Sequence, residues 1–332
     1  MKIYTPEYYE KFHCIASACP DSCCKEWEID VDPDTAEYYR SLPGQTGELL
    51  RSIVQDTPEG MVIPLREGKC PLWRQDGLCG LQLELGHGAL CQVCREFPRL
   101  THDYGSFLER GLELSCPEAA RLILQSRDSR MTVREVPGGE APEYDLGAMQ
   151  TLLRTRRELL SYVDGAQEPL ARTLAVVLLY AHEVQEELDG GETARLCPEQ
   201  CLQDGARFAD PAQAEPLQPF FLELEILTED WRALLQHPVR SRWDEALRGM
   251  LRYLIQRYWL QAVSDYDIVC RAKLMLCGLI LTAQAPEAPC RAAQLFSKEI
   301  ENDPDNVEAI LDGAYTHPAL TDRNLLSLLL ED

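Results

Sequence analysis

The chain has 332 residues, 45% of them hydrophobic, and a net charge of -23 from 32 basic and 55 acidic side chains. That length supports a substantial core and two domains. So acidic a surface, without a Lys/Arg cluster, repels phosphate backbones and argues against nucleic-acid binding.

The opening MKIYTPEYYEKF lacks the basic start and apolar run of a secretory signal. Cysteines come next, in FHCIASACPDSCCKEW, with Cys14, Cys19, Cys23 and Cys24 spaced C-x4-C-x3-CC. In VDPDTAEYYRSL a helix is expected after Asp32, with Pro33 in its first position and acidic residues in its first turn. EGMVIPL reads as a short extended piece, followed by a turn at EGK before Cys70. CPLWRQDGLCG sets Cys70 and Cys79 on either side of a turn at DG. CQVCREFPR then supplies Cys91 and Cys94, and SCPEA supplies Cys116.

Beyond about residue 122 the texture changes. Residues 148–161 and 169–188 have the apolar spacing of amphipathic or buried helices. LAVVLLYA at 174–181 is the most apolar stretch and is too short to cross a bilayer. Residues 189–216 are polar and rich in breakers, so they read as a loop. Helical character returns at 218–236, is strongest over 243–283, and ends in short helices near 289–299, 306–314 and 320–330. The expected fold is mainly α: an irregular cysteine-rich metal-binding N-terminal domain over 1–125, packed on an all-helical C-terminal domain over 126–332.

Nine of the 14 cysteines lie between Cys14 and Cys116. In a soluble cytosolic protein, the expected setting, reducing conditions disfavour a disulfide framework, and a dense group reads first as metal binding. Thiolates suit zinc or iron, and ligands from separate loops can tie together a domain with little regular structure. A zinc site sets its ligand sulfurs about 4 Å apart, so four sulfurs that close are what the metal reading requires. Only Cys91 and Cys94 have C-x2-C spacing, which fits neither a two-knuckle zinc ribbon nor a bacterial ferredoxin run. Spacing leaves zinc and iron–sulfur open. Cys270 and Cys277, seven apart on one helical face, read instead as core.

TPEYYEKFHCIASACPDSCCKEW, CPLWRQDGLCGLQLELG, CREFPR and LELSCPEAARLIL together resemble the flagellin lysine N-methylase family, within a broader set of zinc- or iron-chelating cysteine-cluster proteins. The resemblance covers residues 4 to about 125. It implies metal ligands among Cys14, Cys19, Cys23, Cys24, Cys70, Cys79, Cys94 and Cys116, with Cys91 the hardest to match. It further implies an iron–sulfur cluster of the four-iron type, with zinc the alternative. The implied activity is S-adenosylmethionine-dependent N-methylation of flagellin lysines.

The residues themselves say less about methyl transfer. Gly86 and Gly88 in LGHGAL, and Gly190 and Gly191 in LDGGET, lack the strand–turn–helix context of a cofactor loop and read as loops. The radical spacing C-x3-C-x2-C is broken because Glu26 stands at its third position. Glu96, Asp103, Tyr104, Glu109 and Glu113 are acid–base candidates, but none is distinguished by spacing and each reads first as a solvated surface group. His102 reads as a loop residue, and His13 and His87 are unneeded as ligands beside so many thiols. Arg95 suits either a hydrogen bond to a cluster sulfur or a salt bridge. Trp27, Trp73 and Phe97 suit either cluster shielding or core. Tyr253, Tyr258 and Trp259 read as core rather than cleft lining. The alternative to an enzyme is a non-catalytic metal-binding or interaction protein whose cluster braces a helical platform.

Overall fold

The computed structural model describes residues 1–330. It divides into two compact units that interleave along the chain, where the sequence places one boundary at about residue 125. The cysteine-rich unit comprises residues 13–100 and 116–118; the helical unit comprises 1–12, 101–115 and 119 onwards.

Among the described residues seven strands accompany the helices: β1 Lys2–Pro6, β2 Ile29–Val31, β3 Gln55–Thr57, β4 Gly60–Ile63, β5 Arg99–Asp103, β6 Phe107–Leu112 and β7 Met131–Glu135. In the cysteine-rich unit β4 lies between β2 and β3, both antiparallel to it. The helix expected after Asp32 is Pro33–Ser41, with the Asp32 carboxylate accepting from the Thr35 amide. Residues Glu67 and Gly68 form the predicted turn with positive φ, and Gly77 forms the DG turn at φ 80°. A small core of Ile29, Val31, Tyr39, Leu50, Ile53, Ile63 and Leu81 is buried in this unit, and Cys70 and Cys91 belong to it.

The helical unit is not purely helical. Its sheet runs β5-β6-β1-β7, with β1 parallel to β6 and antiparallel to β7. KIYTP and FLERGL are short, and about a hundred residues separate them, so neither announces its partner. Four helices form the centre: Leu146–Gly165, Leu170–Leu188, Ala246–Tyr258 and Ile268–Ala283. The last is buried on nearly every side, as a helix apolar all round must be. The helical stretch at 243–283 is broken between these two by a 3-10 turn, Trp259–Val263. Trp259 is fully buried, stacks on Tyr180 and donates from Nε1 to Thr155 Oγ1 at 3.1 Å.

Two readings change. The loop expected over 189–216 contains a helix, Pro198–Phe208, whose Cys201 and Gly205 face inward four residues apart. Its polar outer face conceals that inner stripe in the sequence. The segment 218–236 forms two helices, Gln218–Leu222 and Glu229–Gln236, rather than one.

Gly249 sits where two backbones nearly touch: a Cβ there would lie 2.6 Å from the Ile123 carbonyl oxygen and 2.9 Å from Leu124 Cα. Backbone cannot swing aside as a side chain can. Gly249→Ala is therefore expected to cost about 1–3 kcal/mol, read as a lowered Tm; an unchanged Tm would contradict this packing.

Candidate metal centre

Backbone pairing gathers the cysteine loops. The Cys70 amide donates to the Cys24 carbonyl at 2.8 Å and the Glu26 amide to Gly68 at 3.1 Å, joining the CC segment to the turn before Cys70. Glu26 adopts φ 76°, which turns the chain out of that pairing. Across the DG turn Trp73 bridges Cys79, and the Gly80 amide donates to Leu72 at 2.8 Å. Cys91 immediately precedes the short helix Gln92–Glu96, and Cys94 lies within it. Asp32 fixes that helix in place: its second carboxylate oxygen accepts from the Gln92 amide at 2.8 Å while the first caps Pro33–Ser41.

The resulting neighbourhood contains Cys23, Cys24, Cys70, Cys79, Cys91 and Cys94. Cys24 feels Cys23, Cys70 and Cys79, while Cys94 feels Cys91, Cys24 and Cys23. Its hydrogen bond with Cys23, then burial, push the Cys24 thiol far above its ordinary range. Cys94 is pushed up in the same way, first by Cys91 and then by burial, whereas Cys91 is drawn down by that same bond. Burial lifts Cys70 to about 11. Cys19 is also raised by burial and feels Cys14 and Cys23, so the first two cysteines flank the group. Cys14 is exposed and Cys116 buried.

Among the described residues, no three His, Cys, Asp or Glu side chains stand at metal-ligand spacing. The requirement of four sulfurs about 4 Å apart is therefore not met by the thiols as they stand. The donor chemistry nonetheless fits a thiophilic ion or cluster. Cys24 and Cys94 are each made harder to ionise by a neighbouring thiol, so the group cannot become all thiolates without a cation to offset them. Cys91, the least trusted of the nine in the sequence, sits in this group, and its C-x2-C spacing to Cys94 was the signal for it.

The surroundings sort the other candidates. Trp27 and Phe97 pack 6.0 Å apart by ring centroid, and Trp27 Nε1 donates to the Cys23 carbonyl at 3.1 Å. Trp73 lies under the ammonium groups of Lys25 and Lys69. The Arg95 guanidinium donates to the Leu90 carbonyl at 3.1 Å. His13, His87, Glu96 and Asp103 are exposed. Gly86 and Gly190 have positive φ in loops, as read. Cys270 and Cys277 are core residues, each thiol pushed up to about 12 by burial.

The surface reading fails for two residues of the helical unit. Glu109 is buried in a two-pronged ion pair with Arg156, at 2.5 and 2.7 Å, and Tyr104 is buried on Phe107. His102 lies in β5 rather than a loop.

Three curated relatives are similar to the chain. A flagellar biosynthetic protein FliU from Salmonella muenchen is 35% identical over 134 residues, 37% of this chain and 78% of that protein. The chain belongs to the flagellin lysine N-methylase family. Lysine-N-methylases from Salmonella typhimurium and Salmonella choleraesuis are each 31% identical over 193 residues, 54% of this chain. The chain spans about half the length of these two family members, 47% of each. No family model matches the chain and no solved structure matches it. Among the described residues no helix is long and apolar enough to cross a membrane.

Two outcomes follow from this geometry. In metal-depleted protein, brief alkylation at mildly alkaline pH should label exposed Cys14 and Cys197 well before Cys70 and Cys277, whose thiols burial keeps protonated. Peptide mass spectrometry reads the order, and equal labelling would contradict it. Asp32 is held below its ordinary value of 3.8: burial opposes ionisation, but the Gln92 and Thr35 amides outweigh it. Its contribution is present above that value and lost as pH falls through the lowered one. Asp32→Ala should cost about 1–2 kcal/mol at neutral pH and less in strong acid, measured by denaturant unfolding.

Proposed function

We propose that the protein transfers methyl groups from S-adenosylmethionine to lysine side chains of flagellin, in the cytoplasm. The observation that carries this reading is what the relatives are: two are lysine-N-methylases and one is a flagellar biosynthetic protein. The strongly acidic chain suits a lysine-bearing protein substrate, since its field attracts cationic side chains.

A metal centre in the cysteine-rich unit belongs to the same proposal, with an iron–sulfur cluster preferred to zinc because the family is associated with one. The group Cys23, Cys24, Cys70, Cys79, Cys91 and Cys94 would hold it, with Cys14, Cys19 and Cys116 as further donors. When bound, such a centre supplies positive charge that stabilises the thiolates and a cross-link between loops with few other restraints. Around it, this chain's residues do the positioning. Asp32 fixes the Gln92–Glu96 turn, the Cys70 amide fixes the CC segment, and Trp27 Nε1 holds the Cys23 carbonyl.

The second reading is a non-catalytic metal-binding or interaction protein. It is favoured by one observation: the cysteines lie in a unit whose own core is small, where a cross-link stabilises the fold whether or not chemistry follows.

The deciding experiment incubates protein purified without air with S-adenosylmethionine and flagellin. Intact-mass spectrometry should show methyl increments on flagellin lysines. Unmodified flagellin, with the metal complement intact, would eliminate the methylase and leave the structural reading. Iron, acid-labile sulfide and zinc are quantified on the same sample; stoichiometric zinc without sulfide would rule out the cluster. Cys70→Ser should lower both metal content and Tm.

A further inference from the structure

A cavity of about 690 Å³ lies wholly within the helical unit, in the size range of small-molecule sites. The helix Leu146–Gly165 supplies one wall. Arg157 and Ser161 stand one turn apart on it, as do Glu158 and Tyr162 beside them, so four side chains share one face. The other wall is the segment 194–196, which directly follows the LDGGET loop. In that loop Gly190 takes φ 88° and the Gly191 amide donates to the Glu186 carbonyl at 2.8 Å, turning the chain back from its helix. Ala194 is then held from both sides of its backbone. Its amide donates to Glu187 Oε2 at 2.7 Å, and its carbonyl accepts from Arg154 Nη1 at 3.3 Å. This clamp brings Arg195 and Leu196 to the same cavity as Arg157.

The charge of this cavity runs against that of the chain. The whole protein carries -23, yet the lining sets two guanidiniums, Arg157 and Arg195, against one carboxylate, Glu158. That carboxylate is already matched: Arg154 Nη1 donates to it at 3.2 Å and the Tyr180 hydroxyl at 2.6 Å. An ionised carboxylate offers about four acceptor positions, and the Glu158 side chain keeps 40% exposure, so it can take a further donor. The Tyr162 hydroxyl is committed to Glu168. Its ring, with Ala194 and Leu196, supplies apolar surface, and Ser161 adds a hydroxyl. Paired guanidiniums suit a planar oxyanion, which they can grip with parallel N–H bonds. The carboxylate beside them suits an ammonium.

We propose that this cavity binds a small molecule through an α-amino-acid group, its carboxylate held by Arg157 and Arg195 and its ammonium by Glu158. The amino-acid class comes from the cavity itself. The identity of the ligand, S-adenosylmethionine, rests on the methylase reading. A plain oxyanion such as phosphate would use the guanidiniums, but Glu158 would repel it and the apolar wall would stay bare. S-adenosylmethionine joins an amino-acid group to a nucleoside, and the nucleoside is what Tyr162 and Leu196 would cover. The volume admits both parts.

The test is calorimetric titration of the full chain, purified without air, with S-adenosylhomocysteine, which keeps the amino-acid group and cannot donate a methyl. Adenosine, L-methionine and inorganic phosphate are the comparison probes. The wild type should bind S-adenosylhomocysteine, and should bind adenosine, which lacks the amino-acid group, about tenfold or more weakly. Arg157→Ala and Arg195→Ala should each weaken S-adenosylhomocysteine by about tenfold or more, as expected when a charge-assisted hydrogen bond is lost, and leave adenosine affinity unchanged. Both side chains are exposed, so Tm should not move. Arg195→Lys keeps the charge but loses the planar fork and should recover only part of the affinity. Unaltered S-adenosylhomocysteine affinity in either alanine variant overturns the site and leaves the methylase reading standing. L-methionine binding that both variants weaken, with no S-adenosylhomocysteine binding at about millimolar ligand, keeps the amino-acid site and counts against the methylase reading. Phosphate binding as tight as that of L-methionine overturns the amino-acid class, and a wild type that binds none of the probes overturns the proposal outright.

Discussion

The cysteine-rich unit depends on thiols held so close that they cannot all ionise. Cys24 and Cys94 are each bonded to a neighbouring thiol and partly buried, and both are held well above the ordinary thiol range. As neutral thiols they behave as small apolar groups and extend a core with few large side chains. On the proposed reading, a cation draws the same groups together as ligands. Metal binding and folding of this unit are then one equilibrium, because the charge that permits ionisation also fastens the loops.

The helical unit obeys the opposite rule. Its centre is apolar on nearly every side of Ile268–Ala283, and the buried charges in it are almost all paired. Arg156 is matched by Glu109, Arg252 by Asp164 and Arg271 by Asp265. An ion pair so placed contributes little net stability, since desolvation offsets the attraction, but losing one partner is costly. Glu301 is held by Arg257 and by the hydroxyls of Tyr253 and Tyr258, and half-buried Glu113 accepts from Ser115 Oγ at 3.2 Å.

Elements governed by local chemistry were legible in the sequence. Asp32 before Pro33 marked a helix start because capping is a contact between residues three apart. The DG and EGK turns were legible because positive φ favours particular residues. Long helices showed through their apolar spacing. What stayed hidden depended on distant partners. β1 and β6 pair across about a hundred residues, so KIYTP carried no sign of its sheet. Glu109 read as a surface acid because Arg156, 47 residues away, is what permits its burial. The cysteine group was legible as a density of thiols, but which of them meet is set by backbone pairing, such as Cys70 to Cys24, that spacing does not encode.

The central claim is that the gathered thiols close on a thiophilic centre. X-ray absorption at the edge of the metal present in protein purified without air measures this directly. The account predicts a first shell of about four sulfur neighbours at roughly 2.3 Å, with a metal neighbour beyond it if the centre is a cluster. A first shell of nitrogen and oxygen, or no stoichiometric metal at all, would contradict it.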